Sequence, residues 1–392
     1  MTVLMKPGFH ANLQTEGARE AAIRTILIIG GTGVFGRQLT SHLAAMDNTH
    51  LLITSRNAGR AAAAVRLFMS GNPQAHISGM ALDRDKNLFA ALKEIRPFLV
   101  IDASGPFQGT GYDVPHAALS VGAHCIDLAD ARAYLAGYRA ALDNRARKKG
   151  CVALAGASST PALSVAVVSA LTDQWQSVDT VDICITPGGR ADVGEAVVAA
   201  VLSYAGKPVP VWRGGRLTQD FGWAGATYLD MPGLGSRRVA LVETIDAELL
   251  GGRHDVTDRV AFYAGLENPF EQRGMEYLGR LARSGLPVRL TTLAPLLHKL
   301  RKFTRIGMSE VGGMVVKASG IGADGMKIDA AWSLLAKNGD GPVVPTLAAA
   351  AVVRKLLNET IEPGAGLACD ALTLDDIETE MMPYAITTRM AV

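Results

Sequence analysis

Two hydrophobic rhythms alternate along the N-terminal part of the chain. Short aliphatic runs, Thr25 to Ile29, His50 to Thr54, Ala75 to Leu82, Pro97 to Ala103, His124 to Leu128 and Cys151 to Leu154, are continuous enough for strands buried on both faces. Between them lie stretches with apolar residues at helical spacing: Arg37 to Ala45, Ala61 to Met69, Leu88 to Ile95, about Tyr112 to Val121 and about Arg132 to Lys149. Ala162 to Leu171 continues the series after a Thr160-Pro161 start signal. Strands alternating with helices predict a doubly wound parallel sheet. From Val178 the alternation stops. Short β-like pieces (Thr180 to Thr186, Lys207 to Trp212, Arg238 to Val242, Asp258 to Ala264, Gly312 to Gly320, Lys327 to Leu335) surround one helical stretch, Ala191 to Tyr204. They predict a second domain with a mixed, mostly antiparallel sheet. After Gly339-Asp340-Gly341-Pro342, an apolar helix from Thr346 to Leu357 is placed back on the first domain.

The first strand runs into Gly31-Thr32-Gly33-Val34-Phe35-Gly36 and then a helix, the context a Gly-x-Gly-x-x-Gly turn needs to bind a dinucleotide pyrophosphate. Gly31 is read as permitting the tight turn, Gly33 the approach of phosphate, and Gly36 the contact of helix on strand. The helix N-terminus then attracts the anion. The second strand ends in Ser55-Arg56, with no carboxylate to repel a 2′-phosphate and a guanidinium to pair with one. The expected cofactor is therefore NADP(H) before NAD(H), with Arg60 as a further contact. Asp83 after the third strand is placed near the adenine or as a helix cap, and Ala103, Ser104 and Gly105 after the fourth strand flank the nicotinamide ribose. The fold class is thus a Rossmann-type α/β sheet with an inserted α+β domain.

Length fits two domains in 392 residues, divided as a tail to 22, a nucleotide domain over 23–172, a second domain over 173–337 and a return over 338–392. A net charge of +2 offers no global field for nucleic acid. Cys125, Cys151, Cys184 and Cys369 lie too far apart for a C-x-x-C pair, so they are expected reduced and buried, with no metal site. The first twenty or so residues lack a signal-peptide core, and no apolar run reaches membrane-spanning length; a cytoplasmic enzyme is expected.

No tyrosine has a lysine four positions on, which removes the Tyr-x-x-x-Lys pair of short-chain reductases. His-Glu-x-x-His and Gly-x-Ser-x-Gly are also absent. The chain resembles the saccharopine dehydrogenase family in Gly30 to Gly36, Val100 to Gln108, Gly122 to Asp130 and Gly156 to Leu163, and again in Gly339 to Leu347. The resemblance implies hydride transfer between a nicotinamide and a carbon bearing nitrogen, the imine or secondary amine of an amino acid, and makes a homodimer through the second domain plausible. Such chemistry needs a proton donor, for which His124, Asp127 and Asp130 are the candidates, and cations for substrate carboxylates. Arg190 and Arg237 are taken first for the latter, ahead of Arg213 and Arg238, with Gly188-Gly189 a hinge that closes Arg190 over the cleft.

One segment points elsewhere. Positions 277–305 hold no acidic residue, while arginines and lysines interleave with leucines. That pattern suits either a helical pair with basic edges or a peripheral contact with an anionic membrane or lipid. It carries a second reading, enoyl reduction of a lipid-like or polyketide-like C=C. A third, from the lack of an unmistakable catalytic pair, is a non-catalytic NADP(H) sensor.

Overall fold

The computed structural model of the protein describes residues 23–284 and 289–391; the expected tail and Leu286 of the basic segment lie outside them. The first domain runs β1 (Arg24–Ile29), α1 (Val34–Leu43), β2 (Thr49–Ser55), α2 (Ala58–Gly71), β3 (Ile77–Ala81), α3 (Leu88–Ile95), β4 (Leu99–Asp102), α4 (Asp113–Ser120), β5 (His124–Asp127), α5 (Arg132–Lys149), β6 (Val152–Ala155) and α6 (Ser164–Leu171). The second runs β7 (Ser177–Thr186), α7 (Glu195–Tyr204), β8 (Pro208–Arg213), β9 (Arg216–Phe221), β10 (Thr227–Met231), β11 (Gly235–Leu241), α8 (Asp246–Arg253), β12 (Arg259–Ala264), α9 (Pro269–Arg283), α10 (Ala294–Thr304), β13 (Gly312–Ile321) and β14 (Lys327–Ala336). The return consists of α11 (Val344–Leu357), β15 (Gly364–Leu367), α12 (Leu374–Thr379) and β16 (Ile386–Ala391).

The first sheet has seven parallel strands in the order β15-β6-β5-β4-β1-β2-β3. Ile26, Leu27, Ile28 and Leu99 to Ile101 are fully buried, as central strands covered on both faces must be. The order reverses between β1 and β4, which opens a crevice at their carboxyl ends. The second sheet has nine strands, all antiparallel pairs except β7 with β12. This is the doubly wound sheet plus mixed second sheet that the pattern predicted.

The return does more than pack on the first domain. α11 lies against α1 and β15 extends the parallel sheet, but β16 pairs with β14 in the second sheet, so the C-terminal stretch spans both. Strand β15 was unread because Gly364-Ala365-Gly366 has no strand-forming side chains. Its glycines leave room for Asp143, Arg147 and Arg139 of α5, and Asp143 accepts the Ala365 amide at 2.8 Å. Strand β9 was unread because it is an exposed edge with a polar sequence. The helix read from Ala191 begins at Glu195, and the Thr160-Pro161 start signal lies within a single wide turn, Ser159 to Leu163, that leads into α6 at Ser164.

Candidate active site

The glycine turn is built by close approach. Gly30 adopts a left-handed φ of 76°, and a Cβ on it would stand 2.8 Å from the Ser104 Cα. The tight turn therefore belongs to Gly30, whereas Gly31 is small because a Cβ there would meet Ile53 at 2.8 Å. A Cβ on Gly36 would overlap the Gly30 carbonyl oxygen, so that glycine lets α1 press on the strand end. Gly33 caps α1 with no side-chain hydrogen bond, leaving the first amides, those of Val34 and Phe35 with them, to an anion. Such a cradle fits a dinucleotide pyrophosphate.

Its walls come from the neighbouring strand ends. Ser55 accepts the Asn57 amide, and Asn57 caps α2 through the Arg60 amide, which leaves the exposed Arg56 with no ion-pair partner among the described residues. Asp83 is held ionised by the Asp85 amide, which lowers its pKa, and pairs with Lys86 at 3.3 Å. Across the crevice, buried Asp102 accepts the Ser104 amide at 2.9 Å and its hydroxyl at 2.5 Å. Arg84 closes the network, donating to Asp102 at 2.9 Å and Ser104 at 2.7 Å. The Ser104 hydroxyl is thus committed within the protein, and the Ala103 to Gly105 backbone forms the wall. Arg84 and Asp102 were not singled out in the sequence, although Asp102 at a strand end was a readable signal.

The three proton-transfer candidates separate. His124 lies at the amino end of β5, where its Nδ1 accepts the Val152 amide at 3.0 Å and its ring packs on Phe98; it stands at the wrong end of the sheet for hydride chemistry. Asp127 is buried and already accepts from Ala129, Gly156 and the Tyr134 hydroxyl, at 2.9 to 3.0 Å. Burial outweighs those donors and pushes its pKa up to about 7, yet it does not line the cleft where Asp130 lies and holds the strand end in shape. Asp130 differs. Its side chain is exposed on the cleft between the domains, and the protein around it raises its pKa by desolvation, against a 3.2 Å bond from Gln108. Glu243 lines the same space, its pKa raised by burial and, opposing Arg132, by Asp130. Burial and then these two carboxyls raise the pKa of Tyr204 beside them.

These three side chains line a cavity of about 590 Å³. It starts at Phe35 of the glycine turn, Ser159 and Thr160, and runs between the second sheet and helices α7, α9 and α10. Val201, Phe262, Met275, Leu278, Met314 and Leu334 are representative of its walls. Thr160 is fixed from below: it and Ser164 donate to Asp246, a fully buried carboxyl on α8.

Cations are engaged elsewhere. Arg190 pairs with Glu310 at 3.2 Å, and Arg237 lies on the β10–β11 hairpin; neither lines the cavity. Gly188 and Gly189 have a packing reason for being glycine: a Cβ on them would meet Glu310 at 2.8 Å and Met308 at 2.6 Å, and Glu267 accepts the Gly189 amide. Arg238 grips Glu276 with two bonds of 2.9 and 2.8 Å, and Arg213 pairs with Asp220. Arg301 is the arginine in the wall, and Glu271 lies 3.5 Å from it.

Glycine turn, parallel sheet and inserted mixed sheet define a two-domain dinucleotide-binding architecture. A family model described as a KR domain matches residues 24–98, the stretch from β1 through α3 that ends just before β4. No curated protein matches the chain by sequence. Among solved structures, saccharopine dehydrogenase (L-Glu forming) from Saccharomyces cerevisiae superposes with a TM-score of 0.66 at 12% identity, covering 94% of this chain and 100% of that one. Weaker similarity extends to a meso-dapdh mutant from Clostridium tetani (TM-score 0.48, 13% identity, 92% and 98% covered). An amine dehydrogenase from Mycobacterium smegmatis follows (0.47, 10%, 89% and 96%). The chain has the saccharopine dehydrogenase fold, as its motifs implied.

Proposed function

We propose that the protein is an NADP(H)-dependent oxidoreductase that moves hydride to or from a carbon bearing nitrogen, on a substrate with a large apolar body. The observation that carries this reading is the make-up of the cavity: carboxyls Asp130 and Glu243, free of any ion pair among the described residues, in a wall that is otherwise mostly hydrocarbon. Its other charged groups are Asp192, paired with Arg37, and Glu271, paired with Arg301. Carboxyls suit an amine or iminium head, and an apolar body gains about 0.8 kcal/mol per buried methylene. The amino-acid part of the expectation has no support from Arg190 or Arg237, which lie off the cavity.

The amides at the start of α1 would hold the pyrophosphate, Arg56 a 2′-phosphate, and the Ala103 to Gly105 wall the nicotinamide ribose. When bound, the dinucleotide supplies or accepts the hydride. Asp130 holds and moves the proton at the substrate nitrogen, a role that a carboxyl with its pKa raised by burial suits better than an ordinary one. Glu243 and Tyr204 orient the head, while the apolar walls exclude water.

A second reading, reduction of an activated C=C, is favoured by the apolar length of the cavity and by two carboxyls whose pKa burial raises, groups able when protonated to donate to a carbonyl oxygen. Assaying NADP(H) turnover with alkylamines, their imines and enoyl thioesters separates the two. In the amine reading Asp130→Asn lowers kcat about a hundredfold with KM little changed. Turnover of enoyl substrates alone would overturn it.

A further inference from the structure

Helices α9 and α10 turn an apolar and basic face outward. Among the exposed residues of α9, Phe270, Arg273, Tyr277 and Arg280 form one stripe at helical spacing; on α10 Leu296, Lys299, Leu300 and Phe303 are exposed, with Ile306 just beyond. Phe270, Phe303 and Ile306 are 81%, 74% and 80% exposed, far more than large apolar side chains ordinarily are. They lie where the two helices are tied: the Thr304 hydroxyl donates to Glu271, and the Thr304 carbonyl accepts from the Asn268 side-chain amide at 3.3 Å. Both carboxylates of these helices point inward, Glu271 to Thr304 and Arg301 and Glu276 to Arg238 and Gln272. Arg273, Arg280 and Lys299 form no ion pair among the described residues.

The apolar side chains also mark an opening. Phe270 and Leu300 are exposed and line the cavity, so the cavity reaches the surface between α9 and α10. On α10 the positions divide: Leu297, Leu300, Arg301 and Thr304 face the cavity, and Leu296, Lys299, Phe303 and Ile306 lie outside its lining.

We propose that this face docks on an anionic bilayer surface, with Phe270, Leu296, Phe303 and Ile306 entering the headgroup region and the cavity mouth opening on to the lipid. Charge chooses this occupant. A second copy meeting the face with its own would oppose cation to cation, whereas an anionic leaflet complements both its basic and its apolar positions. The inference rests on the proposed apolar substrate and adds the source from which that substrate enters. No helix among the described residues is long and apolar enough to cross a membrane, and none is needed for such contact.

Co-sedimentation of the full chain with vesicles tests it without turnover. Binding to phosphatidylcholine containing phosphatidylglycerol should exceed binding to phosphatidylcholine alone by roughly tenfold, and should fall as salt rises. The paired substitution Phe303→Asp and Ile306→Asp should abolish it while leaving Tm and NADPH affinity unchanged, since neither residue lines the cavity. Equal binding of variant and wild type, no binding to either vesicle, or a dimer that the same substitutions dissociate would overturn the proposal. A substrate panel that shows no preference for apolar chains, beside intact vesicle binding, would instead remove the substrate reading.

Discussion

Replacing Asp246 should unfasten the second domain from the floor of the active site. Its carboxyl is fully buried and accepts the hydroxyls of Thr160 and Ser164, and Thr160 lines the cavity. Asp246→Ala removes the acceptor of both hydroxyls. Ser164 keeps the Pro161 carbonyl at 3.2 Å and half-buried Thr160 borders the cavity, so the loss is that of about one unpaired buried group with the packing of the side chain, about 2–3 kcal/mol. Asp246→Asn keeps the shape. Its oxygen accepts one hydroxyl and its amide donates to the other once that rotates, for a cost of about 1 kcal/mol. The two variants also differ from wild type in pH dependence. Burial raises the Asp246 pKa from 3.8, so between that value and the higher folded one the folded state binds more protons, and wild-type stability falls as pH rises through the window. Asp246→Asn lacks this slope. Urea unfolding at several pH values, followed by circular dichroism, measures both effects. An alanine variant within about 0.5 kcal/mol of the asparagine one, or an unchanged slope in Asp246→Asn, would refute the reasoning.

Three further outcomes follow from the site. Arg56→Ala should weaken NADPH about tenfold, the low end for a charge-assisted pair at an exposed position, and leave NADH unchanged; equal loss for both, by fluorescence titration, would contradict the 2′-phosphate assignment. Arg238→Ala strips the partner from the buried Glu276 carboxylate and should cost about 3 kcal/mol in denaturant titrations, an effect absent if α9 is held otherwise. In the reductive direction kcat/KM should fall as pH rises through the raised Asp130 pKa, because the donor must be protonated, and the oxidative direction should show the opposite limb. Asp130→Asn should flatten both profiles.

The first domain was legible because its signals are local. Periodicity distinguishes buried strands from helices, and Gly33 and Gly36 are required by contacts within a few residues. The assignment of the tight turn to Gly31 went astray because its neighbour Gly30 faces Ser104, which arrives from another strand. Arg84 with Asp102, and Asp246 with Thr160, are likewise pairs that only the folded chain assembles. Glu243 carried a readable cue, a carboxylate closing the apolar run Val239 to Val242. The cavity carried none: Val201, Met275 and Leu334 at core-like spacing look the same whether their neighbour is a side chain or a substrate. Arginine count misled in the same way, since Arg190 and Arg238 spend their charge on Glu310 and Glu276.

The most direct measurement is the dependence of turnover on substrate chain length. Steady-state NADP(H) rates with a homologous series of primary alkylamines should show kcat/KM rising about three- to fourfold per methylene until the cavity is full, with dicarboxylic amino acids inactive. A flat series beside activity with amino dicarboxylates would contradict the apolar-body reading, and tight NADPH binding with no turnover in any series would contradict an enzyme altogether.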